Sequence, residues 1–144
     1  MNRNNDKIKR FFVYGSLREG FFNYDKYLKG NVLTNEIATT KGELYHMKHK
    51  GYPALIDGDR DIEGEVITVN NPDEITKALD EMEGFFGVSN PKNEYERIEK
   101  EVRLSDGSTE LCYVYKYVEE DVNNFDDNYI YLNENSWKEY MLSR

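Results

Sequence analysis

A chain of 144 residues with 38% hydrophobic content is long enough to enclose one core, to which 12 Tyr and 7 Phe bring large buried area per side chain. A formal net charge of −9 with 33% charged residues argues against nucleic acid as a partner, since phosphate binding needs clustered Lys and Arg. No apolar run reaches membrane-spanning length, the N-terminus lacks a signal-peptide core, and one Cys cannot form an intramolecular disulfide, so a cytoplasmic protein of one domain, residues 1–144, is expected.

Residues 1–6 are polar and Asn-rich, and are expected to fray. Residues 8–14 form an apolar run that reads as a buried strand, ended by Gly15-Ser16. Amides freed by such a turn can build a concave site for an anion or a polarised carbonyl, although the pair alone is equally an ordinary strand-to-loop turn. Asn23 is placed to cap a short helix over 24–29 that Gly30 closes. Residues 32–47 read as one bent strand or two, Gly51-Tyr52-Pro53 as a turn, and 62–69 as an alternating strand.

Asn71-Pro72-Asp73-Glu74 is a helix start, with a capping Asn, Pro at the first helical position and acids in the first turn. Ile75, Ala78, Leu79 and Met82 share one face of that helix, which Gly84 ends. Residues 85–93 form an aromatic-rich loop. Strands over 95–104 and 109–117 flank Asp106-Gly107, a hairpin signal. From 118 to the end the chain carries seven acids against two bases, yet Leu132, Trp137, Tyr140 and Met141 predict an ordered, partly helical segment. Strands with one clear helix give an α+β class.

Glu83 stands out among 28 acids. It lies roughly 80° around the helix from Ile75, on the border of the apolar face, whereas Asp80 points into solvent. Both the apolar border and the C-terminal end of the helix dipole raise a carboxylate pKa, which suits proton transfer. Taken alone, Glu83 also reads as a solvated acid at a fraying end. His46 and His49 have a His-x-x-His spacing but no third ligand, and read as surface residues. Cys112 lies inside an alternating strand and reads as core filler. Ser16 lacks the flanking glycines of a nucleophile elbow. Tyr113, Tyr115 and Tyr117 share one strand face, and Cys112, Val114 and Lys116 the other.

Tyr14-Gly15-Ser16-Leu17-Arg18 followed by Asn23 resembles the opening motif of the gamma-glutamylcyclotransferase-like family. Tyr52-Pro53-Ala54-Leu55, Gly64-Glu65-Val66, residues 79–84 (LDEMEG), Tyr95-Glu96-Arg97, Val114-Tyr115 and Trp137 with Tyr140 continue it in order. The resemblance implies a mixed sheet curled into a small half-open barrel with flanking helices and an active site at its mouth. It implies Glu83 as the catalytic acid/base, with Tyr14, Gly15, Ser16, Leu17 and Tyr115 binding substrate. Tyr95 and Arg97 are expected to brace the Glu83 loop, and Trp137 to close the core. Residues 85–93 and the acidic tail are expected to line the mouth.

The implied activity is cyclisation of a γ-glutamyl group to 5-oxoproline with release of the attached amine, a small-molecule reaction that calls for no metal or cofactor. The alternative is a ligand-binding module of the same fold without turnover. A hydrolase with a Ser or Cys nucleophile ranks third.

Overall fold

The computed structural model describes residues 10–144. The segment expected to fray and the first two residues of the first predicted strand lie outside the described residues. Six strands and two α-helices follow one another: β1 (Arg10–Val13), β2 (Val32–Met47), β3 (Tyr52–Val69), α1 (Pro72–Glu83), β4 (Tyr95–Leu104), β5 (Thr109–Tyr117), β6 (Tyr129–Tyr131) and α2 (Trp137–Leu142).

The sheet is ordered β3-β1-β5-β4-β2-β6, and an additional β3–β2 pairing closes the first five strands into a barrel. It is mixed: β1 runs antiparallel to β3 but parallel to β5 at Phe11↔Tyr113. The β2–β4 seam is short, with Ala38↔Leu104 and Thr39↔Arg103 its only pairs. The two strands part toward the Tyr95 end of β4, where β6 takes up the edge of β2. The ring is therefore closed at one end and splayed at the other, which reconciles it with the half-open form the family resemblance implies.

β2 is one strand, as one of the two sequence readings had it. The predicted turn at Gly51-Tyr52-Pro53 contracts: Gly51 takes a φ of +77°, and β3 already starts at Tyr52. Pro53 is tolerated opposite His46 because it sits near the start of the strand. Halfway along the hairpin the register jumps from Gly42↔Arg60 to Glu43↔Ile56, so residues 57–59 bulge out and the ribbon bends. A Cβ on Gly42 would lie 2.7 Å from Leu55 Cδ1 and 2.8 Å from the Ile56 carbonyl, so the bend needs glycine.

The alternation of the strands separates two packed clusters. Phe11, Val13, Tyr115 and Tyr117 pack with Leu79 of α1 on one side, whereas Phe12, Tyr14, Cys112 and Val114 pack with Leu132 and Trp137 of the tail on the other. The tail is thus ordered by its apolar residues despite its acids. Trp137 is buried, as expected, and its indole N–H donates to His46 Nδ1 at 3.0 Å. That corrects the surface reading of His46: it is buried, and burial lowers its pKa and favours the neutral acceptor. His49 is exposed.

Two predicted caps act otherwise. Asn71 makes no side-chain cap and instead takes the left-handed conformation at a φ of 48°, its carbonyl accepting from the Ile75 amide at 3.0 Å. Asn23 precedes not an α-helix but a single π-turn, Tyr24–Leu28, and its side-chain amide turns back to Ser16.

Candidate active site

At the splayed end a cavity of about 220 Å³ opens between β1, the start of β3, the end of α1, the entry of β4, and β5. Tyr14, Gly15, Ser16, Leu17, Glu83 and Tyr115 all line it, so the six positions picked out in the sequence meet in one place.

The turn after β1 is built from both sides. Gly15 packs against Pro53 so closely that a Cβ would lie 2.7 Å from Cγ and 2.9 Å from Cδ of the ring. The Gly15 carbonyl accepts from the Arg18 amide at 2.9 Å, and the Ser16 carbonyl from the Tyr24 amide at 3.0 Å. Ser16 Oγ accepts from Asn23 Nδ2 at 2.7 Å. Among the described residues no protein oxygen accepts from the amides of Gly15, Ser16 or Leu17. The three residues line the cavity.

Arg18 anchors the turn. Its Nε pairs with Glu65 of β3 at 2.8 Å, with both side chains nearly inaccessible, and its Nη1 reaches Glu63 and Ser136 Oγ at 3.3 Å each. Asn35 donates to the other Glu65 oxygen at 2.9 Å. A buried pair satisfied this fully fixes geometry more than it adds stability.

Glu83 is the last residue of α1, and Gly84 ends the helix with a φ of 72°. Among the described residues nothing donates a hydrogen bond to the Glu83 carboxyl. Burial first, then the negative charges of Glu94 and Asp80, push its pKa from 4.5 up to about 8. Glu94 lines the same cavity and pairs with Lys50 of the β2–β3 turn. The hydroxyls of Tyr14, Tyr95 and Tyr115 stay neutral, their pKa values raised chiefly by burial. Tyr14 donates to the Tyr115 carbonyl at 2.5 Å, and Tyr95 to the Pro53 carbonyl at 2.8 Å.

Residues 11–139 match the family described as Gamma-glutamyl cyclotransferase, AIG2-like. The chain belongs to that family. It is 36% identical over 135 residues to the Gamma-L-glutamyl-butirosin B gamma-glutamyl cyclotransferase of Niallia circulans, across 94% of this chain and 79% of the relative. Among solved structures it is similar to YkqA from Bacillus subtilis, with 26% identity and a TM-score of 0.63 over 95% of this chain. The match takes in only 42% of YkqA, so the chain spans less than half of that protein. An AIG2-like protein from Mus musculus, 18% identical, shares the fold with a TM-score of 0.67 over 90% of this chain and 88% of its own.

Within this cyclotransferase-family barrel several sequence expectations need correction. Asp80 does not point into solvent: its Oδ1 accepts from the Tyr115 hydroxyl at 2.7 Å, and Oδ2 pairs with Arg97. Arg97 therefore braces α1 through Asp80, and Tyr95 braces Pro53 rather than the Glu83 loop. The cavity is lined not by residues 85–93 or the tail, but by Phe22, Asn23, Lys26 and Tyr27 around the π-turn, with Tyr52 and Pro53 of β3. Cys112 is buried, and burial pushes its thiol up to about 12, which leaves no thiolate at neutral pH. No periodicity in the sequence marks Glu94, which precedes β4 by one residue. No described helix is long and apolar enough to cross a membrane. Among the described residues no group of three or more His, Cys, Asp or Glu is placed to hold a metal.

Proposed function

We propose that this protein cyclises a γ-glutamyl group of a small-molecule substrate to 5-oxoproline, with Glu83 as the proton-transfer group. The carrying observation is the half-buried Glu83 carboxyl, without a hydrogen-bond partner among the described residues, lining the same cavity as Gly15, Ser16 and Leu17, whose amides are unpaired. The glutamyl chain folds back, and its α-nitrogen attacks its own γ-amide carbon. Holding both ends in one cavity makes the attack intramolecular, which can supply about 7–11 kcal/mol. Glu83 takes a proton from the attacking nitrogen and returns it to the leaving nitrogen as the C–N bond breaks. The amine departs with that proton, and the ring closes as the lactam. Amides of Gly15, Ser16 and Leu17 bind the substrate carboxylate or the oxyanion, with Tyr14 and Tyr115 forming the wall. No step draws on a group from outside the chain and substrate. A cytoplasmic setting completes the reading. A binding module would gain nothing from a half-buried carboxyl without a hydrogen-bond partner, whose ionisation costs stability.

The test is a mass-spectrometric screen of γ-glutamyl amino acids and amines. 5-Oxoproline appearing in step with the free amine is the expected result, and no turnover of any γ-glutamyl compound would overturn it.

A pH dependence follows. Glu83 faces Tyr14 just after β1, Glu94 and Tyr95 at the entry of β4, Tyr115 of β5 and Asp80 of its own helix. To accept a proton it must first lose its own, so kcat/KM should fall about tenfold per pH unit below about 8. An acidic limb near the ordinary carboxylate range would contradict this.

A further inference from the structure

We propose that Asp80 is a positioning residue, tying Tyr115 of β5 to the helix that carries Glu83 and so fixing the separation of two cavity walls. The inference rests on the reading of Glu83 as the proton-transfer group.

Asp80 does not itself line the cavity. It sits on α1 three positions before Glu83, one turn back on the same side of the helix. Its Oδ1 accepts from the Tyr115 hydroxyl at 2.7 Å, and Tyr115 is itself buried in the cavity wall. The carbonyl of Tyr115 accepts from Tyr14 at 2.5 Å, so one chain of bonds runs from α1 through β5 to the end of β1. That chain passes from the residue beside Glu83 to the residue beside the Gly15 turn. The two parts of the proposed chemistry are thus joined by hydrogen bonds through the cavity-lining Tyr115 and Tyr14.

Arg97 holds Asp80 from its other side. Its guanidinium pairs with Asp80 Oδ2 and lies over the Tyr113 ring at 4.7 Å and the Phe85 ring at 5.2 Å. Arg97 comes from β4 and Tyr115 from β5, so Asp80 is a polar contact of α1 with both strands. A carboxylate suits this place because its two oxygens serve two partners at once, one a neutral hydroxyl and one a cation. The same charge also contributes to the raised pKa of Glu83, after burial and Glu94. Asp80 therefore acts on Glu83 in two ways: through where Tyr115 stands, and through its field.

The test compares wild type with Asp80→Ala, Asp80→Asn, Tyr115→Phe and the Asp80→Ala/Tyr115→Phe double variant in the 5-oxoproline assay. Asp80→Ala should lower kcat/KM roughly 10- to 100-fold, the scale of one lost charge-assisted bond at a cavity wall. Asp80→Asn keeps an acceptor for Tyr115 and should recover part of that loss. The double variant should be no worse than the poorer single one, since both changes break the same bond. In both Asp80 variants, but not in Tyr115→Phe, the acidic limb of kcat/KM should move to lower pH, a shift that lost packing alone would not cause. If Asp80→Ala fails to fold, the Asn and Phe variants carry the same comparison.

Wild-type kinetics in Asp80→Ala, or in Asp80→Asn with an unmoved limb, would overturn the proposal while leaving the function standing. Losses that multiply in the double variant would do the same. A wild-type protein that makes no 5-oxoproline would overturn both.

Discussion

Glu83→Gln should fold and bind but turn over at least 10²-fold, and up to about 10⁴-fold, more slowly, the range typical of a lost general acid/base. Gln has the size of Glu and donates as well as accepts, but cannot take a proton from the attacking nitrogen. No other group in the cavity is suited to replace it. Glu94 is held by Lys50, and the Tyr hydroxyls around the site stay protonated. The same variant should be more stable than wild type at alkaline pH. The Glu83 pKa is raised in the folded state, from 4.5 to about 8, so the folded protein keeps a proton that the unfolded chain gives up between those values. Wild-type stability therefore falls across that window and levels off above it, whereas the Gln variant is spared. The difference should approach roughly 3–5 kcal/mol above pH 8 and vanish near pH 4. Chemical denaturation at both pH values, beside the activity assay, reads the two effects independently. Full activity in the Gln variant would remove Glu83 from the mechanism.

Gly15→Ala should damage both the fold and the site. A Cβ there would lie 2.7 Å from the Pro53 ring, which is buried and whose carbonyl is held by Tyr95 at 2.8 Å, so the turn has to yield. Overpacking of this kind costs about 1–3 kcal/mol. A displacement approaching 1 Å at a positioned site can cost about 10²-fold in rate. Melting temperature and kcat/KM should fall together, with the loss in kcat/KM exceeding what unfolding accounts for. A variant that loses stability but keeps wild-type kinetics would mean that the Gly15-to-Leu17 amides do not touch the reacting groups.

How legible the chain was depends on how local each signal is. The β4–β5 hairpin was legible to its end residues, because the Asp106-Gly107 turn and the alternation around it are contained in the segment itself. The first half of β3 was not, because Tyr52-Pro53 carries a turn signal that pairing with His46 and Met47 overrides. His46 looked like a surface residue because Trp137, the partner that buries it, lies 91 positions away. Asp80 shows the same limit more sharply. A helical wheel gives the direction of its side chain, but Tyr115 and Arg97 reach it from strands 35 and 17 positions further on. The six candidate positions, which line one cavity, are visible only through motif resemblance; periodicity alone places Glu83 on a border and leaves the barrel closure out of sight.

Two substrates in parallel test the central claim most directly: a γ-glutamyl amine and the same compound with its α-nitrogen acetylated, followed by mass spectrometry. If the substrate's own nitrogen is the nucleophile, the free compound yields 5-oxoproline in step with the amine, and the acetylated one yields nothing. Cleavage of the acetylated compound at a comparable rate, or glutamate as the initial product from either, would contradict the account.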